Sequence, residues 1–147
     1  MADVQVVAET STQRVVVAFD ATPSSESALV WAIREAAMRH AELQIIHVKQ
    51  SALEGDLKAE REFLARFVDD TCASSGIERA SVQTRFQAAF GQPIPWILAA
   101  ADDADLLVVG SQHHSQLGEL FLGSVSRCLC VYSKCPVVVV HAENSRE

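Results

Sequence analysis

Short β-branched runs recur along this chain, and each is separated from the next by a stretch long enough for a helix. Val15-Val16-Val17-Ala18-Phe19 and Leu106-Leu107-Val108-Val109 show no polar alternation. A strand can be apolar on both sides only where both sides are covered, as in a parallel sheet. Leu43–Val48 reads as a second strand and Cys135–His141 as the last. Ser81-Val82-Gln83-Thr84-Arg85-Phe86 alternates with period two, which predicts a half-exposed strand near an edge. Thr22-Pro23-Ser24-Ser25 carries the signals of a helix start, a hydroxyl cap followed by proline. The stripe Ala28, Leu29, Ala32, Ile33, Ala36 and Ala37 then gives that helix one apolar face. A second helix is predicted from about Gly55 to Ser74, with Gly76 as its stop. A short one follows the turn Gly91-Gln92-Pro93, from Pro95 to about Ala101, and the last runs from about Ser124 to Ser133. Strict alternation of strands and helices predicts an α/β domain: an open parallel sheet with right-handed crossovers and helices on both faces.

A chain of 147 residues suits one such domain. Residues 1–13 read as a loose N-terminal arm, 14–141 as the domain and 142–147 as a C-terminal tail. The net charge of −7, with no Lys/Arg block, argues against duplex DNA or RNA as a partner. The apolar runs fall far short of the roughly 20 residues that span a bilayer. Met1–Gln13 is polar and acidic, unlike a secretory leader. Cys72, Cys128, Cys130 and Cys135 are too few for a disulfide scaffold, and reduced thiols buried as small hydrophobes are expected. The expectation is a soluble, cytoplasmic protein with no membrane or nucleic-acid partner.

Ligands of open parallel sheets bind beyond the carboxyl ends of the strands, where the strand order reverses. The ends at Asp20, Val48 and Gly110 are therefore the places to look. From Val109-Gly110 the chain runs through a polar loop and enters a helix at Gly123-Ser124-Val125-Ser126. A helix N-terminus offers unpaired N–H groups and partial positive charge, glycine allows close approach, and serine adds hydroxyls. Those parts make a phosphate cradle without Lys or Arg. The same pattern also describes an ordinary glycine-bounded connection with serine capping.

The surrounding residues resemble the universal stress protein family. Gly110, position 113 and Gly123-Ser124 fall on its nucleotide-binding signature, G-x2-G-x9-G-[S/T]. Val17–Ser25 resembles the end of its first strand, V-x-x-D-G-S-x-x-S, and Ala28-Leu29 falls on its Ala-Leu pair. His47-Val48, Gly91-Gln92-Pro93, Ala104–Ser111, Leu122–Ser126 and Cys135–Val140 are similar to further family landmarks, in the same order. The resemblance implies a five-stranded sheet of order 3-2-1-4-5, Rossmann-like, in a cytoplasmic homodimer. It implies ATP or AMP as ligand, with Mg2+ carried on the phosphates. Ala18, Phe19 and Asp20 would lie near adenine and ribose, and the Val48 backbone would read the base. Val109, Gly110, Gln112 and His113 would form the first half of the phosphate loop, and Gly123, Ser124, Val125 and Ser126 the second. Two positions depart from the pattern: His113 stands for the second signature glycine, and Ala21 for the glycine after the strand-end acid. Either side chain costs something where positive φ is required.

Asp20 reads either as a ribose or metal-water contact or as a cap on the helix that follows. His113 and His114 are adjacent and point apart on most backbones, which argues against a joint metal site. His47, inside a strand, reads as a core or crevice histidine. No catalytic set is present: Gly-Lys-Ser/Thr, G-x-S-x-G and H-E-x-x-H are all missing. Two readings of different class remain, a nucleotide-holding stress or signalling module and a dimeric interaction protein of the same fold without nucleotide. A slow ATPase using Asp20 and His113 is a weaker third. The homodimer would form through Val137–Val140, an apolar strand at the sheet's outer edge.

Overall fold

The structure, a computed structural model, describes residues 13–49, 56–111 and 123–142. Five parallel strands form one sheet in the order β3-β2-β1-β4-β5. They are β1 (Arg14–Ala18), β2 (Glu42–Lys49), β3 (Thr84–Phe90), β4 (Leu106–Ser111) and β5 (Val137–His141). The helices are α1 (Pro23–Arg39), α2 (Leu57–Ser75), α3 (Pro93–Ala101) and α4 (Ser124–Tyr132). Fold class and strand order are those expected.

Strand periodicity divides the core in two. Val15 and Val17 of β1, Leu43 and Ile45 of β2, and Leu106 and Val108 of β4 face α1 and α2. Val16, Ile46, Leu107 and Val109 face α3 and α4, with Ile97, Ala101 and Leu129. Both faces of β1 and β4 are thus covered, the physical reason for their unbroken apolar runs. α1 buries Ala28, Leu29, Ala32, Ile33 and Ala36 completely. Thr22 caps it, accepting from the Ser25 N–H at 3.3 Å, with Pro23 in the first turn. Gly76 closes α2 in the left-handed region, φ 68°.

Several boundaries differ from expectation. The edge strand β3 begins at Thr84, because Arg79–Ser81 is a turn of 3₁₀ helix closed by the Val82 N–H donating to the Arg79 carbonyl at 3.2 Å, with Arg79 Nη1 donating in turn to the Val82 carbonyl at 2.7 Å. Val82 is buried from that turn, and its apolar side chain mimics one phase of strand alternation. α3 starts at Pro93, two residues early, since either proline fits a first helical turn. In α2, the apolar Leu57 and Phe63 stay 37% and 50% exposed, outside the buried face of Leu64, Val68 and Cys72. Phe63 instead stands between Phe19 and Phe67 in a row of rings, with centroids 6.5 and 6.2 Å away. Gln13, assigned to the arm, already joins the sheet by accepting from the Glu42 N–H at 2.8 Å. Of the four free cysteines only Cys72 is fully buried, while Cys130 is exposed on α4, a correction to the expectation of buried thiols. Burial pushes the Cys72 thiol up from its ordinary range, the Asp69 charge adding to this and Arg79 opposing it.

Candidate functional site

The strand order reverses between β1 and β4, whose neighbours lie on opposite sides. A cavity of about 300 Å³ opens at the carboxyl ends of these two strands. That is where an open α/β sheet leaves a crevice, since the crossovers on either side diverge to opposite faces.

The end of β1 supplies one wall. Ala18, Phe19 and Asp20 all line the cavity. Phe19 is buried against the His47 ring, edge to face at 5.7 Å. Its N–H donates to the Ile46 carbonyl at 2.9 Å, holding the chain beside β2 one residue beyond the strand. The chain then turns sharply, with Ala21 at φ 64°, in the left-handed region that favours glycine. Asp20 stabilises that turn: its Oδ1 accepts from the Thr22 N–H at 3.1 Å and from the Thr22 hydroxyl. Its N–H donates to Ser25 Oγ at 3.3 Å. Asp20 thus does not cap α1 itself, since Thr22 does; it holds the capping residue in place, and the same carboxylate also borders the cavity.

β2 and β4 supply the floor. Val48 lines it, as does Ile46, two residues earlier and on the same face. Val109 and Gly110 line the β4 side, with buried Ser111 beyond them. A Cβ on Gly110 would come within 2.5 Å of the Ser24 carbonyl carbon and oxygen and 2.8 Å of the Ser25 nitrogen. This glycine is thus required by the approach of α1 to β4, a packing reason that the phosphate-loop reading did not include.

α4 supplies the last wall. Gly123, its N-cap, has no side chain to bond the first N–H groups, and Ser124, Val125 and Ser126 follow along the cavity. Ser126 is buried, and its hydroxyl donates to the Gly110 carbonyl at 3.1 Å, tying the helix start to the end of β4. Ser124 is exposed. The arrangement is an apolar slot at one end and, at the other, a helix start that no side chain caps among the described residues. Such an end takes an anion without a cationic side chain.

Ten of the expected site residues line this one cavity. Gln112 and His113 lie outside the described residues, as does His114. Sequence reasoning missed Ile46, Pro93, Ile97 and Leu129, which complete the apolar slot. The signals were there. Ile46 shares the face of Val48, Ile97 lies one helical turn from Pro93, and Leu129 one turn from Ser126. Ser24 and Ser25, read as helix-start residues and as part of the Val17–Ser25 resemblance, line the cavity as well.

Beneath the β2 end, on the opposite face, lies an ionic cluster. Glu60 of α2 takes His47 Nδ1 on Oε1 and Lys49 Nζ at 2.5 Å on Oε2. Of the two places weighed for His47, core or crevice, the structure gives the first: it is partnered by Glu60 on the face away from the cavity. Burial alone would raise the Glu60 pKa, but hydrogen bonds and charge from Lys49 and His47 outweigh it, and the net direction is down. A carboxylate with a lowered folded-state pKa contributes stability above the ordinary glutamate range and loses it as pH falls through the folded value. Glu60→Gln is expected to cost roughly 2 kcal/mol at neutral pH, discounted for partial exposure, and to flatten the acid limb of the stability profile. Urea midpoints from neutral to acid pH check this. An unchanged slope in the variant would remove Glu60 from the acid response.

A cluster of three or more His, Cys, Asp or Glu side chains able to hold a metal is absent among the described residues. None of their helices is long and apolar enough to cross a membrane.

Comparison with known proteins agrees with this geometry. The model of the universal stress protein family matches residues 11–141. A universal stress protein of Mycobacterium tuberculosis, Rv2005c, is 27% identical over 144 residues, covering 89% of this chain and 48% of its own length. The chain thus spans about half the length of that relative. Universal stress protein YxiE of Bacillus subtilis is 29% identical, with 86% of this chain and 97% of that protein covered. Among solved structures, a universal stress protein in complex with cAMP superposes with a TM-score of 0.64 at 28% identity, covering 90% of this chain and 98% of the other. With a family match over nearly the whole described domain and the same fold in a solved relative, this chain belongs to the universal stress protein family.

Proposed function

We propose that this chain binds an adenine nucleotide, ATP or AMP, between the carboxyl ends of β1 and β4, as a non-catalytic stress-response or signalling module of the cytoplasm. The observation that carries this is the cavity itself, about 300 Å³, with an apolar end formed by Ile46, Val48, Ile97 and Leu129 and, at the other, the start of α4, which no side chain caps among the described residues. The cAMP complex of a related protein supports an adenine ligand. In this reading the β1 end lies against adenine and ribose, Val48 presents its backbone to the base, and the Gly123–Ser126 turn takes the phosphate. Mg2+ would arrive on the phosphates of ATP, with Asp20 the carboxylate lining the cavity. Turnover is slow or absent, because the described lining lacks a lysine and a general base aimed at a phosphate. Denaturing the purified protein and running the supernatant on an anion-exchange column tests the reading. An adenine nucleotide near one equivalent is expected. A preparation that holds none, and binds none when it is added, would instead favour the interaction protein without nucleotide.

The module works as a homodimer in this proposal. β5 is an outer strand, and its residues Val137–His141 are only half-buried in the single chain. Uncovered apolar edges invite association, and a two-fold partner covers one by antiparallel pairing. Sedimentation equilibrium is expected to give twice the 16.0 kDa chain mass. Val139→Lys should shift it toward monomer. A monomeric wild type at micromolar concentration that associates once residues 1–13 are deleted would place the arm, not a second copy, on that edge.

A further inference from the structure

We infer that β3, the sheet edge opposite β5, is a second self-association surface, pairing antiparallel with β3 of another copy about a two-fold at Gln87. It stands apart from the nucleotide reading and does not depend on the β5 pairing.

Hydrogen bonds at the two ends of β3 fix which way its backbone faces. The Leu43 N–H donates to the Gln83 carbonyl at 2.8 Å, and the Gly91 N–H to the Lys49 carbonyl at 2.8 Å. Backbone groups alternate sides along a strand. Arg85, Gln87 and Ala89 therefore serve β2, while Thr84, Phe86, Ala88 and Phe90 turn theirs outward. Among the described residues no strand lies on that outer side. At the carboxyl end the fold closes the edge itself, since Trp96 Nε1 donates to the Phe90 carbonyl at 3.0 Å. Before that point the usual protections of an edge are missing. β3 runs for seven residues in unbroken register with β2, without proline, lysine or bulge. Its one charge, Arg85, is drawn toward β2, with Nε 3.1 Å from Glu42 Oε1.

What fits this edge follows from its own side chains. Gln87 is the middle residue of the strand, so a two-fold there pairs its full length. Phe86 then stands opposite the partner's Ala88, and Arg85 opposite the partner's Ala89. Large meets small at both places, and like charges do not face each other. Phe86 and Ala88 form the hydrogen-bonded pairs, exchanging both N–H···O bonds, and the Phe90 N–H reaches the partner's Thr84 carbonyl. The strand is thus complementary to itself. So short an edge buries well under the roughly 1,200 Å² of stable interfaces, which makes the association weak, with a Kd on the order of 0.1 mM.

Sedimentation equilibrium of the full chain carrying Val139→Lys, which blocks β5, tests this between about 10 µM and 1 mM. The mass is expected to rise toward twice the 16.0 kDa of one chain as concentration increases. Two substitutions added to that background read the edge. Ala88→Pro removes an outward N–H and leaves the bonds to β2 in place. Gln87→Glu keeps an acceptor for Gln44 Nε2, which donates to Gln87 Oε1 at 2.5 Å, and sets two carboxylates opposite each other at the two-fold. Each is expected to weaken association at least about tenfold, and Gln87→Glu should regain it near about pH 4, as its carboxylates take up protons. If Ala88→Pro fails to fold, Gln87→Glu decides alone. A Val139→Lys chain still monomeric at about 1 mM overturns the inference and leaves this edge to an extended segment of another protein. Association unchanged in Gln87→Glu lies on another surface and overturns it equally. With β5 blocked throughout, failure of the β5 pairing and failure of this one are read separately.

Discussion

Gly110→Ala is expected to destabilise the protein by about 2–3 kcal/mol, through overpacking against a backbone that cannot give way. In a chain of this size that corresponds to a fall in Tm of roughly 6–10 °C. The added methyl would sit 2.5 Å from the carbonyl carbon and oxygen of Ser24. Those atoms belong to the first turn of α1, which is anchored by the Thr22 cap and by five fully buried side chains. Either α1 or β4 must move, and both line the cavity. Nucleotide affinity should therefore fall together with stability. Gly76→Ala is the informative comparison. Gly76 sits at φ 68° with nothing within 4 Å of the added Cβ, so backbone strain alone acts there, at about 1 kcal/mol. Thermal melts of the two variants separate collision from strain. Equal losses would show that Gly110 is not held by contact with Ser24.

Ser124→Glu is expected to weaken nucleotide binding by more than about a hundredfold while leaving the fold intact. Ser124 is exposed in the first turn of α4, where an acidic side chain is itself favoured by the helix dipole. The carboxylate would settle on the N–H groups meant for phosphate, and its charge would repel what remains of the ligand. Helix stability should hold or rise slightly, so loss of binding could not be ascribed to unfolding. Calorimetric titration with AMP, alongside a thermal melt, reads both. Undiminished affinity would detach the phosphate from this helix start.

How much of this was legible without coordinates follows from what each signal depends on. β1 and β4 were plain because both their faces are buried, and burial on two sides leaves no polar residue in the run. α1 was plain because its cap, its proline and its alanine stripe agree. β3 was displaced because Val82 is buried from a 3₁₀ turn, where an apolar residue looks like one phase of a strand. The weak β formers Gln87, Ala88 and Ala89, which do lie in β3, gave no counter-signal. The strand order itself came from the family resemblance, since alternation alone gives parallel strands but no order among them. At the site, residues at strand ends and in the Gly123–Ser126 turn were readable from local pattern. Helical spacing puts Ile97 on the face of Pro93 and Leu129 on that of Ser126, but that these faces reach the cavity depends on the docking of α3 and α4 on the sheet. The steric reason for Gly110 was equally hidden, since Ser24 lies far away in sequence and becomes a neighbour only through the crossover of α1.

The central claim, that a nucleotide occupies the crevice between β1 and β4, is tested most directly by titrating AMP into isotopically labelled protein and following backbone amides by NMR. The account predicts the largest shifts at Ala18, Val48, Val109 and Gly110, with a second group at Gly123–Ser126 where α4 begins. Shifts confined to other surfaces, or none at millimolar AMP, would contradict it.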